Sequence, residues 1–165
     1  MIGGSRTHEV NIREVRAADA QRWINLRHRL WPDQTVEDLS EDVHEFFNRG
    51  TPLVVVAFLA WCKNQPIGFL ELSVRPYVPG AASQPAPFVE GWFVNAEWRR
   101  RGVGRMLVKA AEDWASSRGH RQLGSDADVE NMVGAAAHEA MGFREVETIR
   151  CFIKDLDGSR QRQIK

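Results

Sequence analysis

The stretch FVEGWFVNAEWRRRGVGRMLVKAAEDW, residues 88–114, decides the fold. Its first seven residues are mostly apolar and β-rich, which predicts a strand over 88–94. After the glycines, Val103, Met106, Leu107, Ala110 and Trp114 recur at helical spacing and predict a helix over 102–118, ended by Gly119. Between strand and helix stand three consecutive arginines and then Gly102-Val103-Gly104. The first turn of a helix has N–H groups without intrahelical partners and a partial positive charge. Glycine lets an anion reach the backbone, and arginine forks match phosphate oxygens. Arg99, Arg101, Gly102, Val103, Gly104 and Arg105 are therefore candidate ligands of a diphosphate. The arginines alone also read as a solvated basic run, but the strand before them and the helix after them weigh against that. Leu107 stands where a dinucleotide fingerprint needs a third small residue, and no Gly-Lys-Ser/Thr marks a P-loop.

On either side of this junction the chain alternates between the two periods. Residues 10–15 read as a strand, and 18–31 as a helix with Ala20, Trp23, Leu26 or Arg27, and Leu30 on one stripe, stopped by Pro32. A second helix is expected over 36–48, with Leu39, Val43, Phe46 and Phe47 inward and Gly50 as its stop. Residues 53–61 and 67–75 form a hairpin around Lys63-Asn64-Gln65, and a loop without period follows over 76–87. Residues 121–126 read as a short strand, 129–141 as a helix stopped by Gly142, and 146–156 as a final strand. No repeat or linker divides the chain. The order predicts an α/β (α+β) fold, a mixed sheet flanked by helices, in one domain over 10–156 with loose tails at 1–9 and 157–165.

The 165 residues suffice for one buried core, and 43% hydrophobic with 27% charged residues is a globular balance. Net charge is zero, which argues against a strongly basic nucleic-acid binder. The charge is unevenly spread. Asp33, Glu37, Asp38, Glu41, Asp42 and Glu45 fall in a segment without lysine or arginine, while 99–105 holds four arginines and no acid. The acidic segment reads either as a solvated face or as one wall of a cation site. Cys62 and Cys151 have no metal-ligand spacing, so no metal is expected, and two reduced thiols suit a cytoplasmic protein. The sequence has neither a signal core nor an apolar run long enough to span a bilayer, so no membrane association is expected.

VNAEWRRRGVG resembles the acyl-coenzyme A signature of the GNAT acetyltransferases, with Arg99, Gly102 and Gly104 at its fixed positions. ENMVGAAAHEAMGF, residues 130–143, is similar to that family's second signature. The resemblance implies a mixed, mostly antiparallel sheet and acetyl-CoA as co-substrate. It also implies a strand ending at Phe93 and Val94 that splays to receive the pantetheine, with Asn131 contacting the cofactor arm. LRHRLWP, YVPG, FVEGWFV, SDADVEN and AHEAMGF further resemble the aminoglycoside 6'-N-acetyltransferases, over nearly all of residues 10–156. That likeness implies a polycationic aminoglycoside as acceptor, lined by Trp31, Tyr77, Glu90 and Asp126, and a homodimer exchanging its C-terminal strand. Other acceptors, a small amine or a protein N-terminus, fit the same signatures, as does a non-catalytic acyl-CoA module.

Residue chemistry agrees with that acceptor site. Acetyl transfer needs a neutral amine, and a carboxylate can hold the ammonium and then take its proton; such help is typically worth about 10²- to 10⁴-fold. Glu90 and Asp126 are the candidates, set against an outward strand residue for Glu90 and a helix N-cap for Asp126. Trp31 and Tyr77 offer flat faces for sugar rings. Many GNAT enzymes place a tyrosine as general acid four residues before Gly-Phe. Here that place is His138, and the one tyrosine is Tyr77. His138 reads as an acid or as a core histidine with a satisfied ring.

Overall fold

Five strands in the order β1-β2-β3-β4-β5 form the sheet of the computed structural model, which describes residues 9–48 and 53–156. They are β1 (Val10–Glu14), β2 (Val56–Cys62), β3 (Gln65–Arg75), β4 (Ala86–Val94) and β5 (Gly124–Ser125). The first four pair antiparallel and β5 joins β4 in parallel, so the sheet is mixed and mostly antiparallel as expected. The helices are α1 (Ala20–Leu30), α2 (Val36–Phe47), α3 (Val103–Ser117) and α4 (Met132–Ala140), with 3₁₀ turns at Ala17–Asp19 and Ala96–Trp98. The stop expected at Gly50 and the tails expected at 1–9 and 157–165, Glu9 apart, lie outside the described residues.

Local chemistry fixes the boundaries. Thr35 caps α2 by accepting from the Asp38 N–H at 3.1 Å. Lys63, at φ 54°, and Asn64 turn the hairpin, which carries β2 to Cys62 and starts it at Val56 rather than at Leu53. Gly119, at φ 84°, ends α3 in the left-handed region that glycine adopts without cost. Helix α4 begins at Met132, later than the apolar pattern predicts. Asp128 draws the Glu130 N–H into a turn at 2.8 Å, and Asn131 caps the helix by accepting from Gly134 N–H at 2.8 Å.

Helices α1 and α2 cover one face of the sheet, called front here, and α3 covers the back. Trp23, Ile24, Leu26, Leu39 and Val43 meet Ala57, Leu59 and Phe69 in front. Val103, Leu107, Val108 and Ala111 meet Phe58, Leu70, Leu72 and Val89 behind. The buried stripe of α3 is rotated from the predicted one: Met106 is 39% exposed, while Val108 and Ala111 point inward. Each large apolar side chain buried this way contributes about 1.5–3 kcal/mol.

The final strand expected over 146–156 does not form. Residues 144–156 have no regular structure, and Phe152 and Ile153 are 90% and 95% exposed. The sheet ends at β5, whose two residues offer no edge long enough for another strand, and an unpaired strand is not stable in water. Among the described residues no helix is long and apolar enough to cross a membrane.

Candidate active site

The register between β3 and β4 slips once, and the slip builds the site. Glu71 pairs with Gly91 and the next residue, Leu72, pairs with Val89, which leaves Glu90 without a partner on β3. An extra residue of this kind re-aims a side chain. Simple alternation would send Glu90 away from the face that Gly91 occupies. The bulge turns its carboxylate onto the front face instead, where Arg75 and Ser73 hold it.

Arg75 grips Glu90 with a two-pronged fork, Nε to Oε1 at 2.8 Å and Nη2 to Oε2 at 2.6 Å. The Ser73 hydroxyl donates to Oε1 at 2.5 Å. Three donors occupy a group with roughly four acceptor positions, which leaves one for an incoming N–H. The Glu90 hydrogen bonds hold the Arg75 guanidinium above the ordinary arginine value; burial opposes this, and the charges of Glu90 and of Asp126 reinforce it. Asp126, exposed just past β5, thus shares the electrostatic field of Arg75 and Glu90.

Trp31 closes the same face. Its ring lies against β4 so tightly that a Cβ on Gly91 would stand 2.7 Å from Cη2. Phe69 meets the indole at 6.1 Å between ring centroids, and the Arg27 guanidinium lies 5.2 Å from it. Tyr77 is 67% exposed on the loop after β3, anchored through buried Val78, whose N–H and C=O both bond the Gln84 side chain. The structure therefore gathers Glu90, Asp126 and Trp31 around the open end of the β4–β5 pair and leaves Tyr77 at the rim.

On β4, pairing with β5 covers only Phe88 with Gly124 and Val89 with Ser125. From Glu90 onward β4 has no partner on that side among the described residues, so the two parallel strands diverge. Phe93 faces front against Phe69, and Val94 packs into the rear core. The Val94 carbonyl accepts Arg99 Nε at 2.9 Å, which folds the arginine back on the strand end.

The turn into α3 is open. Gly102 has φ 83°, and a Cβ there would meet nothing within 4 Å. No side chain caps the helix, so the N–H groups of Val103, Gly104 and Arg105 lack intrahelical acceptors. The small size of Gly104 also matters on its inner side. A Cβ at that position would sit 3.0 Å from Trp92, so its small size admits the indole. Arg101 lies 5.5 Å from the Trp98 ring, and Arg105 Nη2 donates to the Ala140 carbonyl at 3.2 Å, tying α3 to α4. Asn131 spends its carbonyl oxygen on the α4 cap.

Several contributors were not singled out from sequence: Ser73, Arg75, Gly91, Ser125 and the buried Arg27–Glu71 pair. A signal existed for some. Glu71, Ser73 and Arg75 alternate along a strand otherwise apolar, and a glycine inside a strand marks a close approach. Burial pushes the Glu71 carboxyl up to about 7, against the opposing pull of Arg27 and the Trp23 N–H. Among the described residues no cluster of three or more His, Cys, Asp or Glu could hold a metal ion.

Residues 23–143 match the acetyltransferase (GNAT) family model. A Klebsiella aerogenes protein named aminoglycoside N(6')-acetyltransferase type 1 is 39% identical over 146 residues, 88% of this chain and 96% of the relative. Two solved structures of AAC(6')-Iy share 32% identity. The complex with the bisubstrate analog CoA-S-monomethyl-acetylneamine has a TM-score of 0.82, covering 90% of this chain and 99% of that one. The complex with CoA has a TM-score of 0.84, covering 92% and 98%.

Proposed function

Because this chain belongs to the acetyltransferase (GNAT) family, we propose that it transfers acetyl from acetyl-coenzyme A directly to the 6'-amino group of aminoglycoside antibiotics in a ternary complex. The observation that carries the acceptor is the 39% identity, over 96% of its length, to a relative named for that reaction. The local chemistry supports it. The open turn at Gly102 and the uncapped first turn of α3 suit a diphosphate, with Arg99 and Arg101 beside it. Val103, Gly104 and Arg105 supply amides, the splayed edge ending at Phe93 and Val94 supplies backbone for the pantetheine, and Asn131 keeps its amide nitrogen for the cofactor arm.

The front face suits a polycation. Glu90 and Asp126 attract the ammonium; one pair at about 4 Å is worth about 4 kcal/mol at an effective dielectric of 20. Glu90, with one acceptor position left, takes the amine proton directly or through water. The neutral amine then attacks the thioester carbonyl. Trp31 and Tyr77 bracket the sugar rings. The protein acts in the cytoplasm, residues 10–156 form the acetyltransferase domain, and the exposed apolar residues Ile149, Phe152 and Ile153 support a homodimer that covers them.

A coupled thiol-release assay with kanamycin and tobramycin tests the reading. Turnover on both supports it. Silence across a panel of 6'-amino aminoglycosides, with turnover on polyamines or peptide N-termini, overturns the acceptor and keeps the family.

A further inference from the structure

Ser125 and His138 form a hydrogen-bonded pair on the back of the sheet, at the point where β4 and β5 part. Ser125 Oγ lies 2.8 Å from His138 Nε2, and His138 Nδ1 lies 2.7 Å from the Gly134 carbonyl oxygen. Trp92 and Phe143 meet the imidazole nearly edge-on, at 5.4 and 5.3 Å between ring centroids. A carbonyl oxygen only accepts, so Nδ1 carries a proton. Nε2 therefore faces the serine either bare, in neutral imidazole, or protonated, in imidazolium.

The placement gives the pair a direction. Ser125 is the last β5 residue to pair with β4, opposite Val89, whose side chain lies in the rear core. The next residue on each strand, Glu90 and Asp126, belongs to the front. A chain threaded between the diverging strands therefore has carboxylates on one side and a hydroxyl backed by an imidazole on the other. Resting on acetyl transfer as the reaction, we infer that the Ser125 hydroxyl returns the proton to the departing thiolate and that His138 supplies it.

The acceptor nitrogen attacks from the front, forms the N–C bond and releases its extra proton to water in the open cleft; the C–S bond breaks and sulfur leaves with its electron pair toward the back. Ser125 Oγ gives its proton to sulfur and takes one from His138 Nε2. The imidazole, neutral with Nδ1 still bonded to Gly134, regains a proton from solvent, to which it is partly exposed. In the imidazolium form both N–H groups have acceptors, a carbonyl and a hydroxyl. With His138 neutral, the Ser125 proton is turned inward onto Nε2 and is withheld from sulfur.

Among the described residues the imidazole forms no ion pair with a carboxylate. β4 presents Trp92, β5 presents Ser125, and Phe143 follows α4. From α3, Arg105 reaches the Ala140 carbonyl at the end of α4. Glu139, the sequence neighbour of His138, is exposed.

Five variants of the full chain test the pair, using whichever amine the wild type acetylates. Ser125→Ala and His138→Gln are each expected to lower kcat about a hundredfold, the low end for proton-transfer catalysis because thiolate is a good leaving group. KM for acetyl-CoA should hold. The double variant should lose no more than either single one, as residues acting as a unit do. Ser125→Thr, which keeps the hydroxyl, should retain kcat. His138→Phe keeps the ring packing and should still lose kcat; full activity there would mean that the ring only packs. Unchanged kcat in Ser125→Ala, or losses that multiply in the double variant, overturns the pair and leaves the aminoglycoside reading intact. Turnover on another amine alone overturns the acceptor and leaves the pair open to the same variants, and a wild type that acetylates no amine overturns both.

Discussion

Trp31 rests on the backbone of Gly91, with room for hydrogen and none for a methyl group: a Cβ on Gly91 would lie 2.7 Å from Cη2 of Trp31 and 3.1 Å from Phe69. The residue beside this contact is the bulged Glu90, so the aromatic wall and the carboxylate share one irregularity of β4. Gly91→Ala should therefore push the indole off the strand. Overpacking typically costs about 1–3 kcal/mol. If Trp31 brackets the acceptor, KM for the aminoglycoside should rise about tenfold while KM for acetyl-CoA stays constant. An unchanged acceptor KM would remove Trp31 from the acceptor site.

Glu90→Gln keeps the size of the side chain and an acceptor for Ser73, but it gives up the charge. The expected result is a fall in kcat of about 10²- to 10⁴-fold, with acetyl-CoA binding unchanged by calorimetry. Arg75 then loses its ionic partner while still part-buried, and a penalty of about 1–3 kcal/mol should appear in thermal unfolding. Retention of wild-type kcat would show that Glu90 is a structural counter-ion for Arg75 and nothing more.

The two glycines of the α3 turn should fail differently. Gly102→Ala puts a Cβ on a residue at φ 83°, which costs about 1–2 kcal/mol for an L residue, and projects it into the open space before the uncapped amides. Calorimetry should show acetyl-CoA bound at least tenfold more weakly. Gly104→Ala should instead act through Trp92, only 3.0 Å from the new Cβ, and shift the tryptophan emission. Equal acetyl-CoA affinity in Gly102→Ala and wild type would rule out this turn as the diphosphate site.

The sequence reads most clearly where one local rule decides the structure. The amphipathic run after Gly102, the stop at Gly119 and the hairpin around Lys63-Asn64-Gln65 follow from periodicity and turn chemistry, and the structure forms all three, with Gln65 already in β3. The arrangement of the front face was not legible, because it depends on a register slip. No alternation rule reports that Glu90 is skipped by β3, or that Arg75 and Ser73 are the side chains that meet it. The strand expected over 146–156 was misread for a related reason. Its apolar residues have strand-like composition, but strand formation depends on a partner edge, and β5 is two residues long. The start of α4 was misplaced because Asp128 and Asn131 compete for the same stretch of backbone, and the later cap wins.

The buried pair behind Trp31 makes stability depend on pH. Glu71 accepts from Trp23 Nε1 at 3.0 Å and faces Arg27 Nε at 3.3 Å, a contact that is ionic without hydrogen-bond alignment. Arg27 in turn donates to the Leu39 carbonyl and to Asp42, so one guanidinium links β3 to α2 and lies 5.2 Å from the Trp31 ring. Burial raises the Glu71 carboxyl from 4.5 to about 7; Arg27 and the Trp23 N–H pull it down, and Asp42 adds to the rise. A carboxyl raised in the folded state binds its proton more tightly there than in the unfolded chain. Its contribution is therefore fully present below about 4.5 and is lost as pH rises through about 7. With about 1.4 kcal/mol for each tenfold change in proton affinity, the whole window is worth at most about 3–4 kcal/mol. Chemical denaturation at pH 5 and at pH 7.5 should show the wild type losing more stability across that interval than Glu71→Gln, whose amide keeps an acceptor for Trp23 and does not titrate. Parallel pH curves for the two proteins would mean that Arg27 holds Glu71 ionised throughout, and that the link from sheet to α2 is a permanent ion pair.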